Sequence, residues 1–158
     1  MTYIQCNNGH MIKKQTIIFD VDGTIADVEH RRHFVNGNND WQSFRAETVN
    51  DTPVQWVCDI AKRFIAQGDE VAFFSARNES ERDITEKQIS DWIGDGHKGV
   101  FLSPDGAFTP DDVFKSELAD KFIDMGGKID LIFDDRQKVV DMWRDKGFTV
   151  VQVADGDF

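Results

Sequence analysis

Thr16-Ile17-Ile18-Phe19-Asp20-Val21-Asp22-Gly23-Thr24 decides how this chain reads. A short apolar run ends abruptly in two acids, a glycine and a threonine. That pattern is a buried strand followed by a tight turn. Working outward, the alternation continues. Thr52-Pro53-Val54-Gln55 has the form of a helix start, with Thr52 as N-cap, Pro53 in the first turn and Gln55 closing a capping box. Val54, Val57, Cys58, Ala61, Phe64 and Ile65 then share a helical face, and Gly68 stops it. Residues 71–74 read as a strand ending at Ser75-Ala76-Arg77. Asn78 caps a helix with Ile84, Ile89, Trp92 and Ile93 on its apolar face. A strand at 100–102 precedes a helix opened by Asp111 or Asp112 and bearing Val113, Phe114, Leu118, Phe122 and Met125. Residues 129–133 form a strand ending at Asp134-Asp135, Val139, Val140 and Trp143 mark a further helix, and 148–153 is the last strand. Continuous apolar strands alternating with amphipathic helices predict an α/β fold, with a parallel sheet covered on both faces.

Composition agrees. The 158 residues are 40% apolar and 30% charged, which suits one globular domain. Lys and Arg number 18 against 29 Asp and Glu, a net charge of −11. That balance opposes the wrapping of long nucleic acid but leaves room for a small, locally basic site. No apolar run reaches a membrane span, and the start lacks the plan of a signal peptide. Cys6 and Cys58 are too few for a disulfide framework or zinc cluster, so a reducing, cytoplasmic setting is the default expectation. Residues 1–14 read as a polar leader, in which Gly9-His10-Met11 is either native or tag-like; 15–158 form the domain, with a polar insert at about 26–51.

Three predicted strands end in reactive groups: Asp20 with Asp22, Ser75 with Arg77, and Asp134 with Asp135. In open α/β sheets, ligands bind beyond the carboxyl ends of strands. Four carboxylates at one sheet edge raise one another's pKa unless a cation sits among them, and hard oxygen ligands suit Mg²⁺. Rival motifs fail. Thr24, Ile25 and Arg31 break an EF-hand; no G-x-x-x-x-G-K-[ST] and no G-x-G-x-x-G after the first strand exist; the histidines lack zinc-ligand spacing.

The ordered set resembles the haloacid dehalogenase superfamily: Asp20-Val21-Asp22-Gly23-Thr24 as first motif, Ser75 as second, Lys115 as third, Asp134-Asp135 as fourth. Within it the chain is most similar to the phosphatase half of phage-type polynucleotide kinase/3′-phosphatases. The signs are Arg31 after the first motif, Arg77 after Ser75-Ala76, the run Asp111-Asp112-Val113-Phe114-Lys115, Arg136 after the acid pair, and the terminal Val153-Ala154-Asp155-Gly156-Asp157-Phe158. No kinase half is present.

The resemblance implies a three-layer sandwich with a five-stranded parallel sheet of order 5-4-1-2-3 and a minimal cap insert. It implies Asp20 as nucleophile, Asp22 as general acid and then base, and Lys115 as the cation that pairs with Asp20 and the phosphate. Ser75 and the backbone N–H groups after Asp20 would hold phosphate oxygens, with Ala76 also on the phosphate side and Thr24 buttressing the turn. Arg31 and Arg77 would make a phosphate fork. Asp111 either orients Lys115 or caps a helix, and Lys121 competes with Lys115. Mg²⁺ would bind Asp20, the Asp22 carbonyl and the Asp134-Asp135 pair, which of the two directly being open. Trp41 and Phe44 either stack a base or form a satellite core; Trp56, Trp92, Trp143 and Cys58 read as core. The expected activity is a Mg²⁺-dependent phosphomonoesterase acting on 3′-phosphates of nucleotides or nucleic-acid ends. The alternatives are a 5′-mononucleotide or small-metabolite phosphatase and, in another class, a non-catalytic binding module. No membrane partner is expected, and the oligomeric state is open.

Overall fold

A computed structural model describes residues 3–5 and 11–156 of the chain. It opens on an antiparallel hairpin, β1 (Tyr3–Gln5) with β2 (Met11–Lys13). Cys6, Gly9, His10, Asp157 and Phe158, named above, lie outside the described residues. The central strand β3 (Thr16–Phe19) follows. Two-residue strands β4 (Ala26–Asp27) and β5 (Thr52–Pro53) pair antiparallel and bracket the insert, which carries α1 (Glu29–Arg32) and α2 (Trp41–Ala46). The chain then alternates through α3 (Gln55–Ala66), β6 (Glu70–Asn78), α4 (Arg82–Trp92), β7 (Gly99–Ser103), α5 (Asp111–Asp124), β8 (Leu131–Asp134), α6 (Gln137–Asp145) and β9 (Val150–Gln152).

The main sheet runs β7-β6-β3-β8-β9, all parallel. Counting its five strands alone and reading from the β9 edge, the order is 5-4-1-2-3. Numbering over the whole chain differs in detail, because β1, β2, β4 and β5 belong to two small separate sheets.

Side chains alternate across a strand with period two, and that alternation builds the layers. Ile17, Phe19, Val71, Phe73 and Phe133 face Val57, Cys58 and Ala61 of α3 and Ile89 of α4. Ile18, Ala72, Phe74 and Ile132 face Ala119 of α5 and Val139 and Trp143 of α6. The Phe19 and Phe133 rings stack at 4.6 Å between adjacent strands. No helix among the described residues is long and apolar enough to cross a membrane.

Several local expectations change. Thr52 and Pro53 form an edge strand instead of a helix start. Pro lacks an N–H and is tolerated at such an edge, and the next residue continues the pairing through Val54 N–H to the Ile25 carbonyl at 2.8 Å. Helix α3 therefore begins at Gln55 without a side-chain cap. Trp56, expected in the core, is 50% exposed, and Val113 and Met125 of the α5 face also point outward. Helix α4 buries Thr85 and Gln88 beside Ile89, for a reason found in the site.

Candidate active site

Strand β3 ends at the point where the chain crosses to β6 on one side while β8 lies on the other, the topological switch point of such sheets. Asp20 leaves β3 there, its N–H bonded to the Phe133 carbonyl at 2.9 Å. The Val21 carbonyl then accepts from the N–H groups of Thr24, Ile25 and Ala26, winding the turn tightly. Gly23 takes φ +83°, a left-handed conformation that glycine adopts without strain.

The turn brings together most of the expected residues. Lys115, fully buried in the first turns of α5, places Nζ 2.7 Å from Asp20 Oδ1 and 3.1 Å from Asp134 Oδ2. Asp111 stands 3.5 Å from the same ammonium and 3.6 Å from the Arg136 guanidinium. Pro110 holds the N-cap position, so Asp111 serves as a partner of Lys115 and is no cap. Lys121 is exposed in the last turn of α5, far along the helix from this cluster. Thr24 Oγ1 lies 2.9 Å from Asp20 Oδ2 and 3.3 Å from Asp135 Oδ1, tying the end of β3 to the acid pair. Ser75 Oγ accepts the Arg77 N–H at 3.1 Å, which leaves its own proton to donate. Ser75 and Ala76 line the same cleft as Asp20 and Asp22.

Asp134 and Asp135 divide their work. Both Asp134 oxygens are engaged: Oδ1 accepts the N–H groups of Asp135 and Arg136, and Oδ2 accepts Lys115 and the Trp143 indole N–H at 3.3 Å. Asp135 Oδ2 is buried without a hydrogen-bond partner, with the Arg32 guanidinium 4.0 Å away. Asp20, Asp134 and Asp135 each present an oxygen within 4.8 Å of the others. Burial is the main force on this cluster. It pushes Asp20 well above the carboxylate range, Lys115 opposing and Asp134 and Asp135 adding to the rise. Burial and the Asp134 charge push Asp135 up to about 6. Three buried acids around one ammonium, one with an orphaned oxygen, fit a hard divalent cation.

Arg31 and Arg77 depart from the expected phosphate fork, which is closed on two carboxylates. Arg31 is fully buried and donates to Asp51 at 2.6 and 2.7 Å, to Asp22 Oδ1 at 2.9 Å and to the Phe44 carbonyl at 3.3 Å. Arg77 donates to Asp22 Oδ1 at 2.9 and 2.6 Å, to Asp51 at 2.8 Å, to Thr85 at 3.1 Å and to Gln88 at 2.8 Å. All five of its N–H groups are thus used, and Arg77 needs the two polar residues that α4 buries. Burial alone would raise Asp22, but Arg77 and then Arg31 outweigh it and hold this carboxyl below its ordinary range.

Sequence reasoning missed Asp51, Thr85, Gln88 and the polar role of Trp143. Thr85 and Gln88 left a signal, two polar residues three apart on the side of α4 that carries Ile89. Asp51 left none.

This geometry matches a known family. The family model described as the polynucleotide kinase PNKP phosphatase domain covers residues 14–158. The chain belongs to that family. A PNKP-type phosphatase domain is a phosphatase of haloacid dehalogenase type. A solved structure titled as the Pnkp1/Rnl/Hen1 RNA repair complex is 26% identical, with a TM-score of 0.76 over 99% of this chain and 47% of that one. A second structure of a Pnkp1/Rnl/Hen1 complex is 27% identical, with a TM-score of 0.75 over 91% of this chain and 47% of that one. The chain thus spans about half the length of these relatives. The fold also recurs in a class C acid phosphatase from Bacillus anthracis with tungstate bound, at 14% identity and a TM-score of 0.64, over 93% of this chain and 69% of that one.

Proposed function

We propose that this PNKP-type phosphatase domain removes 3′-phosphates from nucleotides or nucleic-acid ends, using Mg²⁺ and an aspartyl-phosphate. The observation that carries the chemistry is the pairing of Asp20, held between Lys115 and Thr24, with an acid two residues on that two arginines fix in place. Asp20 attacks phosphorus, and the bond to the leaving oxygen breaks. Asp22 gives its proton to that oxygen, then takes one from the water that attacks the aspartyl-phosphate, restoring Asp20 and releasing inorganic phosphate. The arginines hold Asp22 as a carboxylate, which suits the second half. A phosphate dianion beside it raises its proton affinity, which suits the first. Lys115 offsets charge that builds on the transferring group, and the Ser75 hydroxyl donates to a phosphate oxygen. Asp20, Asp135 and the Asp22 carbonyl would hold the Mg²⁺, with Asp134 fixing Lys115. The ion, when bound, supplies positive charge for phosphate oxygens.

The nucleic-acid substrate is supported by the family and by the RNA-repair setting of the two Pnkp1 structures. The short insert fits an open cleft that admits a polymer end. A mononucleotide is the second reading, favoured by the acids Glu81, Asp111 and Asp112 along the cleft, which repel a long phosphate backbone. Hydrolysis of a 3′-phosphorylated oligonucleotide, a 3′-NMP and a 5′-NMP, each with Mg²⁺ and with EDTA, tests the proposal. The expected result is Mg²⁺-dependent release from the 3′-phosphates. Preference for the 5′-NMP, or full activity in EDTA, overturns it.

A further inference from the structure

The cleft that holds Asp20 has a volume of about 630 Å³, within the range of small-molecule sites. Two aromatic side chains line it while standing largely in water: Trp41, 48% exposed, from the insert, and Phe108, 99% exposed, from the segment between β7 and α5. A wholly exposed phenylalanine in the wall of a reactive cleft contributes nothing to the core. Trp41 is also held in place. Its ring packs edge-on against the buried Phe44 at 5.7 Å, and Phe44 is pinned beneath the Arg31 guanidinium, 4.1 Å from the ring centroid. The same Arg31 orients Asp22, so this aromatic is indexed to the catalytic acid. Meanwhile the cations along the cleft are paired with acids: Arg77 with Asp22 and Asp51, Lys138 with Asp112 at 3.0 Å, Arg136 with Asp111 at 3.6 Å and Arg45 with Glu81 at 3.9 Å. Beyond the reacting phosphate, the two exposed aromatic faces offer a stacking surface.

We propose that Trp41 and Phe108 form a stacking subsite for the nucleobase of the nucleotide whose phosphate meets Asp20. The inference rests on the reading of a nucleotide substrate and adds how the base is recognised. Base–aromatic stacking is tolerant of base identity and weakly dependent on charge, so the subsite accepts all four bases and works on a chain of net charge −11.

The test compares wild type, Trp41→Ala, Phe108→Ala and the double variant on two pairs of substrates. The first pair is a 3′-phosphorylated oligonucleotide with and without its terminal base. The second is a 3′-NMP and the matching 5′-NMP. The expected result is that wild type favours the base-bearing end and that the double variant lowers this base-to-abasic ratio of kcat/KM by about ten- to a hundredfold, mainly through KM. Trp41→Phe should restore most of the ratio. An unchanged ratio, or a wild type indifferent to the base, overturns the stacking subsite. The 3′/5′ ratio reports separately on the proposed function. Equal use of both nucleotides, together with collapse of the base-to-abasic ratio in the variants, would sink the 3′ reading and keep the subsite.

Discussion

Arg77 grips Asp22 through one carboxylate oxygen, Nε at 2.9 Å and Nη2 at 2.6 Å both reaching Oδ1. Arg31 donates to the same oxygen, and Asp51 accepts from both arginines, so two cations and two anions share a buried cluster of no net charge. Partial burial of a charge is tolerated when it is paired and hydrogen-bonded in this way. Asp22 itself lines the cleft.

Arg31→Ala and Arg77→Ala should therefore act through Asp22 and the fold. Removing either strands buried carboxylates, which costs about 3–5 kcal/mol. For Arg77→Ala, activity should fall by the same factor on a 3′-phosphorylated oligonucleotide and on β-glycerol phosphate, a small ester with a similar alcohol leaving group; Arg31→Ala, which also removes the cation that pins Phe44 beside Trp41, should cost the oligonucleotide more. Steady-state kinetics on both substrates check this. A loss confined to the oligonucleotide in Arg77→Ala would show that this arginine turns outward to substrate phosphate, as the sequence pattern suggests.

Asp20→Asn should abolish turnover, because an amide is a poor nucleophile, while the protein stays folded. The substitution removes a carboxyl that burial disfavours as an anion, so the melting temperature should hold or rise. A phosphoenzyme trapped from wild type should be missing in the variant. Residual activity near wild type would mean that water attacks phosphorus directly.

Asp134 and Asp135 should separate experimentally. Asp134→Asn disturbs the partners of Lys115 and Trp143 and should lower stability with or without Mg²⁺. Asp135→Asn should leave the metal-free fold intact but abolish the thermal shift that Mg²⁺ gives wild type. The acid pair also sets a pH dependence. Asp135 rises from the ordinary 3.8 to about 6 through burial first and Asp134 second. The folded state thus binds that proton more tightly than the unfolded chain. Its contribution to stability is full below about pH 4 and is lost as pH climbs through about 6. Melting curves of metal-free protein should show a smaller decline between these values in Asp135→Asn than in wild type, and Mg²⁺ should stabilise wild type more at pH 7 than at pH 5.

The parts of this site legible in the sequence are those written locally. Asp20 to Thr24 and the Asp134-Asp135 pair follow apolar runs, and Lys115 sits one turn beyond Asp111. Strand end, tight turn and helix start each leave such a trace. Asp51 left none, because its partners Arg31 and Arg77 lie 20 and 26 residues away and meet only when the β4–β5 hairpin closes. Trp143 reads as apolar by its spacing and does pack in the core, yet its indole N–H finds Asp134. Thr52-Pro53 matched a helix-start pattern whose local preference lost to pairing with Ala26 and Asp27. Phe108 followed no periodicity, since it lies between elements.

Gly23 offers a test that joins turn geometry to the proposed metal site. Its φ of +83° disfavours any residue with a Cβ, at about 1–2 kcal/mol. A Cβ there would also stand 2.2 Å from Asp135 Oδ2 and 2.7 Å from its Cγ. The Asp135 carboxylate is buried, so it cannot swing away without losing Thr24 Oγ1 and its neighbours. Gly23→Ala should lower the melting temperature, remove the Mg²⁺ shift and cut turnover severely. The clash and the backbone strain can be told apart with Gly23→Ala/Asp135→Ala. Deleting the carboxylate removes the clash but leaves φ, so the double variant should be more stable than the sum of the two single losses allows. Residues in contact show such coupling, on the order of 0.5–3 kcal/mol. Strictly additive losses would mean that the turn fails through its dihedral alone, and that Asp135 does not depend on the bare backbone of Gly23 for its position.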